Sequence, residues 1–537
     1  MLSRCRKKLP IMLGLLAFLT ACSNSSSEDV HSKDTLRIDV SAEIPTLDPQ
    51  LQQDTSSARV AYDLFAGLVD FDQQNNPIPG MAYHWNIEPD GKTITFHLRA
   101  NLKFSDGTPI TAHDFVYSWK RLVNPQTASA YNYLLEHVVN GKAIMQGKMS
   151  SESLGVSAPN DETFIVKLSE PDNAFIAKCT LPNLAVVPSK IIEKYGTHWT
   201  EPRKMITSGA YQLKEHVIYG YILADKNPYY YDAEHVSIPH IKYFPYEDAN
   251  TAIASYESGG LDLTGDAVPI SRYKTLLREY PSQLHTVKQE GIYYYSFNIA
   301  LPKLQDIRVR QALSMAVDRE IISQAILASH PKPLYSVVTP TIANGQYADI
   351  QYAWSKEPRK QQIAEAQKLY KDAGYSPNHP LKVTISFNTS DGHQTLALAL
   401  ASMWQKILGV ETTIRNQEWK TFIDTRQEGD FMIARDGWAA DYNTISAYLM
   451  LYACHNPQNH SNYCDKRYDE FVAKGDAVLD PKEQNKYYHQ ALQIALDDYM
   501  IIPMYQYNYQ RLVKPYVHNY DIDHNYLNHV QSKWMSF

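Results

Sequence analysis

Apolar and polar positions alternate along Thr35–Val40, Thr93–Arg99 and Thr163–Leu168. That period of two sets one face of a strand against a core. Tyr211–His216 and Tyr221–Ala224 read as a hairpin, and Tyr293–Asn298 and Leu381–Asn388 as further strands. Phe431–Ala434 is a short continuous apolar run, the pattern of a buried strand. Elsewhere apolar residues recur three and four apart, which predicts helices. Ser56–Ala66 carries Val60 and Leu64 and stops at Gly67; Thr111–Leu122 starts on a capping Thr and aligns Phe115, Trp119 and Leu122. The same rhythm predicts helices after Pro188, over Ala249–Ser258, Val309–Leu327, Pro358–Ala373, Gln394–Leu408 and Lys482–Leu496. Helices and strands interleave without a fixed repeat, so packed α/β lobes are expected. With 537 residues, two to four domains are expected.

The stretch Arg435–Tyr442 departs from simple patterning. It follows the apolar run and places a cation (Arg435), a flat aromatic wall (Trp438) and a carboxylate (Asp441) within seven residues. Gly437 interrupts the pattern and predicts a turn that approaches something closely. One strand end could thus hold both termini of a zwitterion. The plainer alternative is a strand-to-loop junction with solvated charges.

The N-terminus is a different kind of segment. Arg4, Arg6, Lys7 and Lys8 precede Leu9–Phe18, an apolar run too short to span a bilayer. It ends in Leu19-Thr20-Ala21-Cys22, which resembles a bacterial lipobox. That resemblance implies a signal peptide over 1–21 and a lipidated Cys22 on a polar tether over 22–34; the alternative is a plain secretory signal with an incidental Cys. Four of the 51 basic residues and none of the 58 acidic ones lie in 1–21, so the remainder carries −11. An acidic chain with no basic run in its body argues against nucleic acid as a partner. No later segment is apolar enough to span a bilayer, so the body is expected to be extracytoplasmic.

Cysteine usage fits that compartment. Cys454 and Cys464 bracket a turn-rich loop. An oxidising space favours a local disulfide between them. His455 and His460 in the same loop make zinc the alternative, although the spacing matches no standard zinc template. Cys179 is expected to be a buried free thiol. Tyr (39) far outnumbers Phe (15), which suits wet, adaptable binding surfaces. There is no Gly-x-Ser-x-Gly, no His-Glu-x-x-His and no phosphate-cradling glycine loop, so neither catalysis nor a cofactor is expected. The His113-Asp114 and Asp391-Gly392-His393 neighbours are too common a pairing to read as catalytic.

Several motifs, in order and nearly end to end, carry a family likeness. They are Leu47-Asp48-Pro49, Leu64-Phe65-Ala66-Gly67-Leu68, the run Ser105-Asp106-Gly107-Thr108-Pro109 through Trp119, and Thr207-Ser208-Gly209-Ala210-Tyr211. Asp306–Leu313, Asn416–Phe422 and Arg435–Tyr442 complete the set. With them the chain resembles the bacterial oligopeptide-binding proteins of ABC importers, the peptide/nickel solute-binding family. The resemblance implies a type II periplasmic-binding-protein fold of the α/β class, with three lobes, a two-segment hinge and an enclosed ligand cleft. Lobe I would comprise 35–66, 190–290 and 508–537; lobe II 67–189; lobe III 291–507. Peptide would lie between lobes I and III.

Carried over residue by residue, Asp441 would hold the peptide α-ammonium. Arg435 and His393 would meet the C-terminal carboxylate, and Arg426 would be a cleft arginine. Trp419 and Trp438 would wall side-chain pockets, with Tyr131 reaching in from lobe II and Tyr294 and Tyr505 as further contacts. Gln53 stands where some relatives place an acid near the peptide main chain. Gly265-Asp266 replaces an aromatic and an amide, and Gly291 and Ala439 replace cysteines that some members pair. These departures leave the clamp intact and bear on the side-chain pockets. The implied protein is a lipid-anchored monomer that passes short peptides to ABC permease subunits. Alternatives are a specialised binder of cell-wall peptide, glutathione or haem, and, further off, a surface adhesin or a peptidase.

Overall fold

The computed structural model describes residues 34–478 and 480–537. The basic N-terminus, the apolar segment and Cys22 lie outside the described residues. Among the described residues no helix is long and apolar enough to cross a membrane. Three larger sheets mark three lobes. In the first, Thr35–Asp39 pairs in parallel with His240–Phe244, which continues antiparallel to Tyr221–Lys226 and Tyr211–Val217. The second lobe holds Ala82–Ile87, Thr93–Leu98, Thr163–Lys167 and Val156–Asn160, in that order across the sheet. The third holds five strands, in the order Glu411–Gln417, Lys382–Asn388, Ile433–Ala439, Leu284–Phe297 and Ile501–Leu512.

Local chemistry starts and stops the helices that frame the cleft. Asp54 caps Thr55–Leu64 by accepting from the Ser57 N–H at 2.9 Å. Asp114 returns a bond to the Thr111 N–H at 2.8 Å, at the start of Ala112–Val123. Trp119, fully buried, meets the edge of Phe164 at 4.9 Å and donates its Nε1–H to Leu184 O. Glu418 caps Trp419–Glu428, and Gly429 ends it at φ 72°.

Three elements differ from the sequence pattern. The apolar run expected as one helix over 309–327 breaks after Ala316. Asp318 there accepts from the Ile321 N–H at 3.0 Å and caps a new turn. The strand expected over 431–434 instead spans Ile433–Ala439 and passes through Gly437, because Leu284–Phe297 supplies an antiparallel partner along its full length. The strand expected from Tyr293 begins at Leu284 and pairs with Ile501–Leu512 from its first residue. Its ladder with Ile501–Leu512 is interrupted where residues 289–291 face only residue 507. There Glu290 turns to other partners: its N–H donates to Tyr526 O, its carbonyl accepts from Ala440 N–H, and its carboxylate accepts from Thr339 Oγ1. Such an irregularity bends a ladder and frees it locally.

His529 packs its ring against Tyr62 (5.1 Å) and Phe71 (5.7 Å). Burial pushes its pKa down to about 4. In the unfolded chain the imidazole titrates near 6.5, so protons bind the unfolded state preferentially between those values. The thermal midpoint should therefore fall as pH is lowered from about 6.5 to about 4. His529→Leu should remove that part of the slope, as read by calorimetry at matched ionic strength.

Candidate functional site

The strand Ile433–Ala439 organises the cleft. Asp436 points inward and is the most heavily bonded side chain on it. It takes an ion pair from Arg426 and accepts from His460 Nδ1 at 2.8 Å, Ser296 Oγ at 3.1 Å and the Gly437 N–H at 2.9 Å. These partners hold the carboxylate far below its usual range despite burial. The neighbouring Gly437 is required for space. A Cβ there would stand 2.3 Å from Tyr507 Oη, the side chain of the residue opposite the interrupted ladder.

That tyrosine belongs to an anion-binding constellation. Arg435 donates to Tyr507 Oη at 2.7 Å, reaches Asn388 Oδ1 at 3.5 Å and lies 5.0 Å over the Tyr293 ring. It makes no ion pair among the described residues. His393 Nδ1 sits 3.1 Å from Tyr293 Oη. Burial, and secondarily the Arg435 charge, holds His393 neutral by driving its pKa well below normal. One guanidinium, without a direct ion-pair partner among the described residues but within electrostatic reach of Asp436, thus stands beside a neutral imidazole, two phenols and an amide, a set that fits a carboxylate.

Asp441 lies two residues beyond the strand's end. Tyr133 Oη of the second lobe donates to it at 3.5 Å. Burial pushes its pKa up to about 7, with bonds from Tyr133 and Tyr131 opposing the rise. Among the described residues no cation pairs with it. Tyr131 and Tyr133 pack 5.5 Å apart beside it, and Tyr62 and Tyr442 also feel its charge. A carboxylate held from water without a counter-ion favours an incoming cation.

The structure gathers most of the residues singled out from sequence around this strand. Trp438 is buried and donates to Ala447 O at 2.8 Å. Trp419 lies 5.7 Å from the Arg426 guanidinium, next to Asp54 of the first lobe. Gln53 accepts from Gln427 at 2.6 Å, a bond between the first and third lobes. Tyr505 stacks on Tyr293 at 4.8 Å, and Tyr294 pairs with Asp436 in the ladder. Arg426 is no free cation, since Asp436 claims it. Sequence reasoning missed Tyr133, Tyr507 and Asn388, and read His460 only as a candidate zinc ligand. Its ring instead serves Asp436 from a loop closed by the disulfide Cys454–Cys464. Cys179 is buried and free, and burial pushes its thiol far up.

Residues 76–460 match the family profile described as bacterial extracellular solute-binding proteins, family 5 middle. The chain belongs to that family. Within it, the chain is 38% identical over 528 residues to the periplasmic oligopeptide-binding protein of Salmonella typhimurium, covering 97% of this chain and 96% of that one. The oligopeptide-binding protein of Haemophilus influenzae, solved in complex with the peptide RPPGFSPFR, superposes with a TM-score of 0.92 at 34% identity; 94% of this chain and 99% of that one align. The murein tripeptide-binding protein of Escherichia coli superposes at 0.91 in one structure (34% identity; 94% and 99% of the two chains) and at 0.66 in its unliganded open form (35%; 94% and 98%). The lobes of this family member are therefore arranged as in the peptide complex and not as in the open form.

Gly437→Ala should push Tyr507 away from Arg435 and lower the thermal midpoint. Adding Tyr507→Phe removes the colliding oxygen and should recover stability without restoring the Arg435 contact. Calorimetric unfolding of the three proteins reads this directly; an unshifted midpoint for Gly437→Ala would show that the close approach carries no constraint.

Proposed function

We propose that this protein captures short oligopeptides outside the cytoplasm and delivers them to an ABC permease. The carrying observation is the pair of charges on one strand and its extension, Arg435 and Asp441, neither with a direct ion-pair partner among the described residues. A free peptide is a zwitterion that supplies both. Its ammonium pairs with Asp441 among tyrosine hydroxyls, and its carboxylate meets Arg435 with His393, Asn388 and Tyr507. Trp419, Trp438, Tyr131, Tyr294 and Tyr505 form apolar and aromatic walls for side chains, with Arg426 bracing Trp419 from behind. Backbone pairing gives affinity without sequence preference. The likeness to peptide-binding relatives over nearly the whole chain supports this reading.

The lobes divide at the boundaries 66/67, 189/190, 290/291 and 507/508. The interrupted ladder at 289–291 and 507 supports a hinge there. The signal peptide over 1–21 and lipid at Cys22 complete the proposal: the protein works as a tethered monomeric receptor, not an enzyme. Cys22→Ser should then appear in the soluble extracytoplasmic fraction with peptide binding intact, and membrane retention of that variant would refute the anchor.

Asp441→Asn keeps the shape and removes the charge. Truncating one partner of a desolvated pair costs about 2–5 kcal/mol. Affinity for a free tripeptide should fall roughly 30-fold or more, since about 1.4 kcal/mol is tenfold. An N-acetylated tripeptide should bind the wild type weakly and lose little further in the variant. Calorimetry on two proteins and two peptides closes the cycle. If acetylation weakens binding equally in both proteins, Asp441 does not hold the ammonium.

A further inference from the structure

His137 belongs to the second lobe, directly after the turn Asn132–Leu135. Its Nδ1 lies 3.3 Å from Asp172 Oδ2, in the same lobe. Its Nε2 lies 3.6 Å from Asp476 Oδ2, at the last residue of helix Lys466–Asp476 in the third lobe. Each ring nitrogen thus faces a carboxylate from a different lobe. Glu136 Oε1 stands 4.0 Å from Nε2, and Lys178 binds Asp172 at 2.6 Å. From the third lobe, Tyr488 Oη donates to Asp476 Oδ1 at 2.6 Å, while Tyr442 lies within electrostatic reach of Lys178 and Asp172. The His137 side chain is only 16% exposed, as is that of Asp476. A carboxylate at a helix C-terminus is electrostatically unfavourable by itself, which adds to its demand for a cation. None of these groups touches the proposed peptide cleft residues except through Tyr442.

We propose that the His137–Asp476 contact is a closure latch, a positioning pair that sets peptide affinity from outside the peptide site. The proposal rests on the peptide-capture reading for its ligand, but the contact itself needs none. It bridges two lobes in the closed arrangement, and lobe separation breaks it while leaving Asp172 and Lys178 beside His137. Closed-state stabilisation tightens ligand binding to the extent that the ligand-free protein is open, because ligand and latch favour the same state. The imidazole must carry a proton to serve both carboxylates. In the closed form its pKa is raised to about 10: Asp172 and Asp476 outweigh burial, with Glu136 adding and Lys178 opposing. Opening removes the Asp476 share and lowers that value. Closure therefore takes up protons, and the latch is fully present below the open-form pKa and lost as pH rises through about 10.

The test uses His137→Gln and Asp476→Asn in the full-length protein. Asp476→Asn is the safer variant for folding, since it spares the Asp172–His137–Lys178 cluster and can still accept from Tyr488. At pH 7 each variant should bind a free tripeptide several-fold up to about tenfold more weakly than wild type, with only a small fall in the thermal midpoint for Asp476→Asn. The double variant should be no weaker than either single one. The ratio of variant to wild-type Kd should shrink toward one as pH approaches about 10, which a merely structural role would not produce. Small-angle scattering of ligand-free protein reads closure without peptide, and Asp476→Asn should shift it toward the larger radius. Wild-type protein that closes at neutral pH but binds no peptide would refute the proposed function and leave the latch standing. Equal affinities and equal closure in variant and wild type, or a Kd ratio flat with pH, would overturn the latch.

Discussion

The cleft is built around a charge imbalance. Asp441 and Arg435 share one strand and its extension, and neither has a counter-ion among the described residues. Enclosing one such group costs several kcal/mol unless something pairs with it. The closed arrangement is therefore electrostatically incomplete, and on the proposed function a zwitterionic peptide would complete it. The surrounding tyrosines moderate that cost, because hydroxyls can solvate either charge without neutralising it. This is a physical reason for a cleft rich in phenols rather than in ready-made ion pairs.

Holding those two charges apart requires a stiff backbone between them. Asp436 supplies it, with Arg426, His460 and Ser296 converging from a helix, a disulfide-closed loop and the neighbouring strand. Here the ion pair is satisfied internally, so it adds rigidity and no ligand affinity. Adjacent residues on one strand thus do opposite work: the inward carboxylate is saturated, while the cation before it is left open. The spacing of alternate faces separates the two roles.

The sequence made the α/β character of the lobes legible, because alternation and helical spacing survive wherever one face is buried, and it singled out 435–442, which the fold places on and just beyond the central strand Ile433–Ala439. It was less informative where tertiary context overrides local pattern. Gly437 reads as a turn, yet a long partner strand keeps it extended, and its missing side chain answers to Tyr507, seventy residues on. Asp318 hides a helix break inside an apolar run, since an interior Asp and an N-cap look alike without coordinates. The strand from Leu284 was truncated in the sequence reading because Gln289 and Glu290 interrupt the alternation where the ladder itself is interrupted. Arg426 and His460 carry chemistry-bearing side chains, but only the fold shows that Asp436 consumes them. Tyr133, Tyr507 and Asn388 are invisible individually; the excess of tyrosine over phenylalanine is the sole trace of the two tyrosines, and Asn388 leaves none.

Tyr507 has a further consequence. It is the residue standing alone opposite 289–291, where the ladder is interrupted and the hinge is proposed, and its hydroxyl is also the nearest hydrogen-bond partner of Arg435. Joint and grip are thus one residue. A rotation at the joint moves the hydroxyl and alters how the guanidinium is presented. On the proposed function, a permease that separates the lobes would then not pull against an intact grip, since the same movement would disassemble the proposed carboxylate holder. Unloading would follow from the geometry of opening.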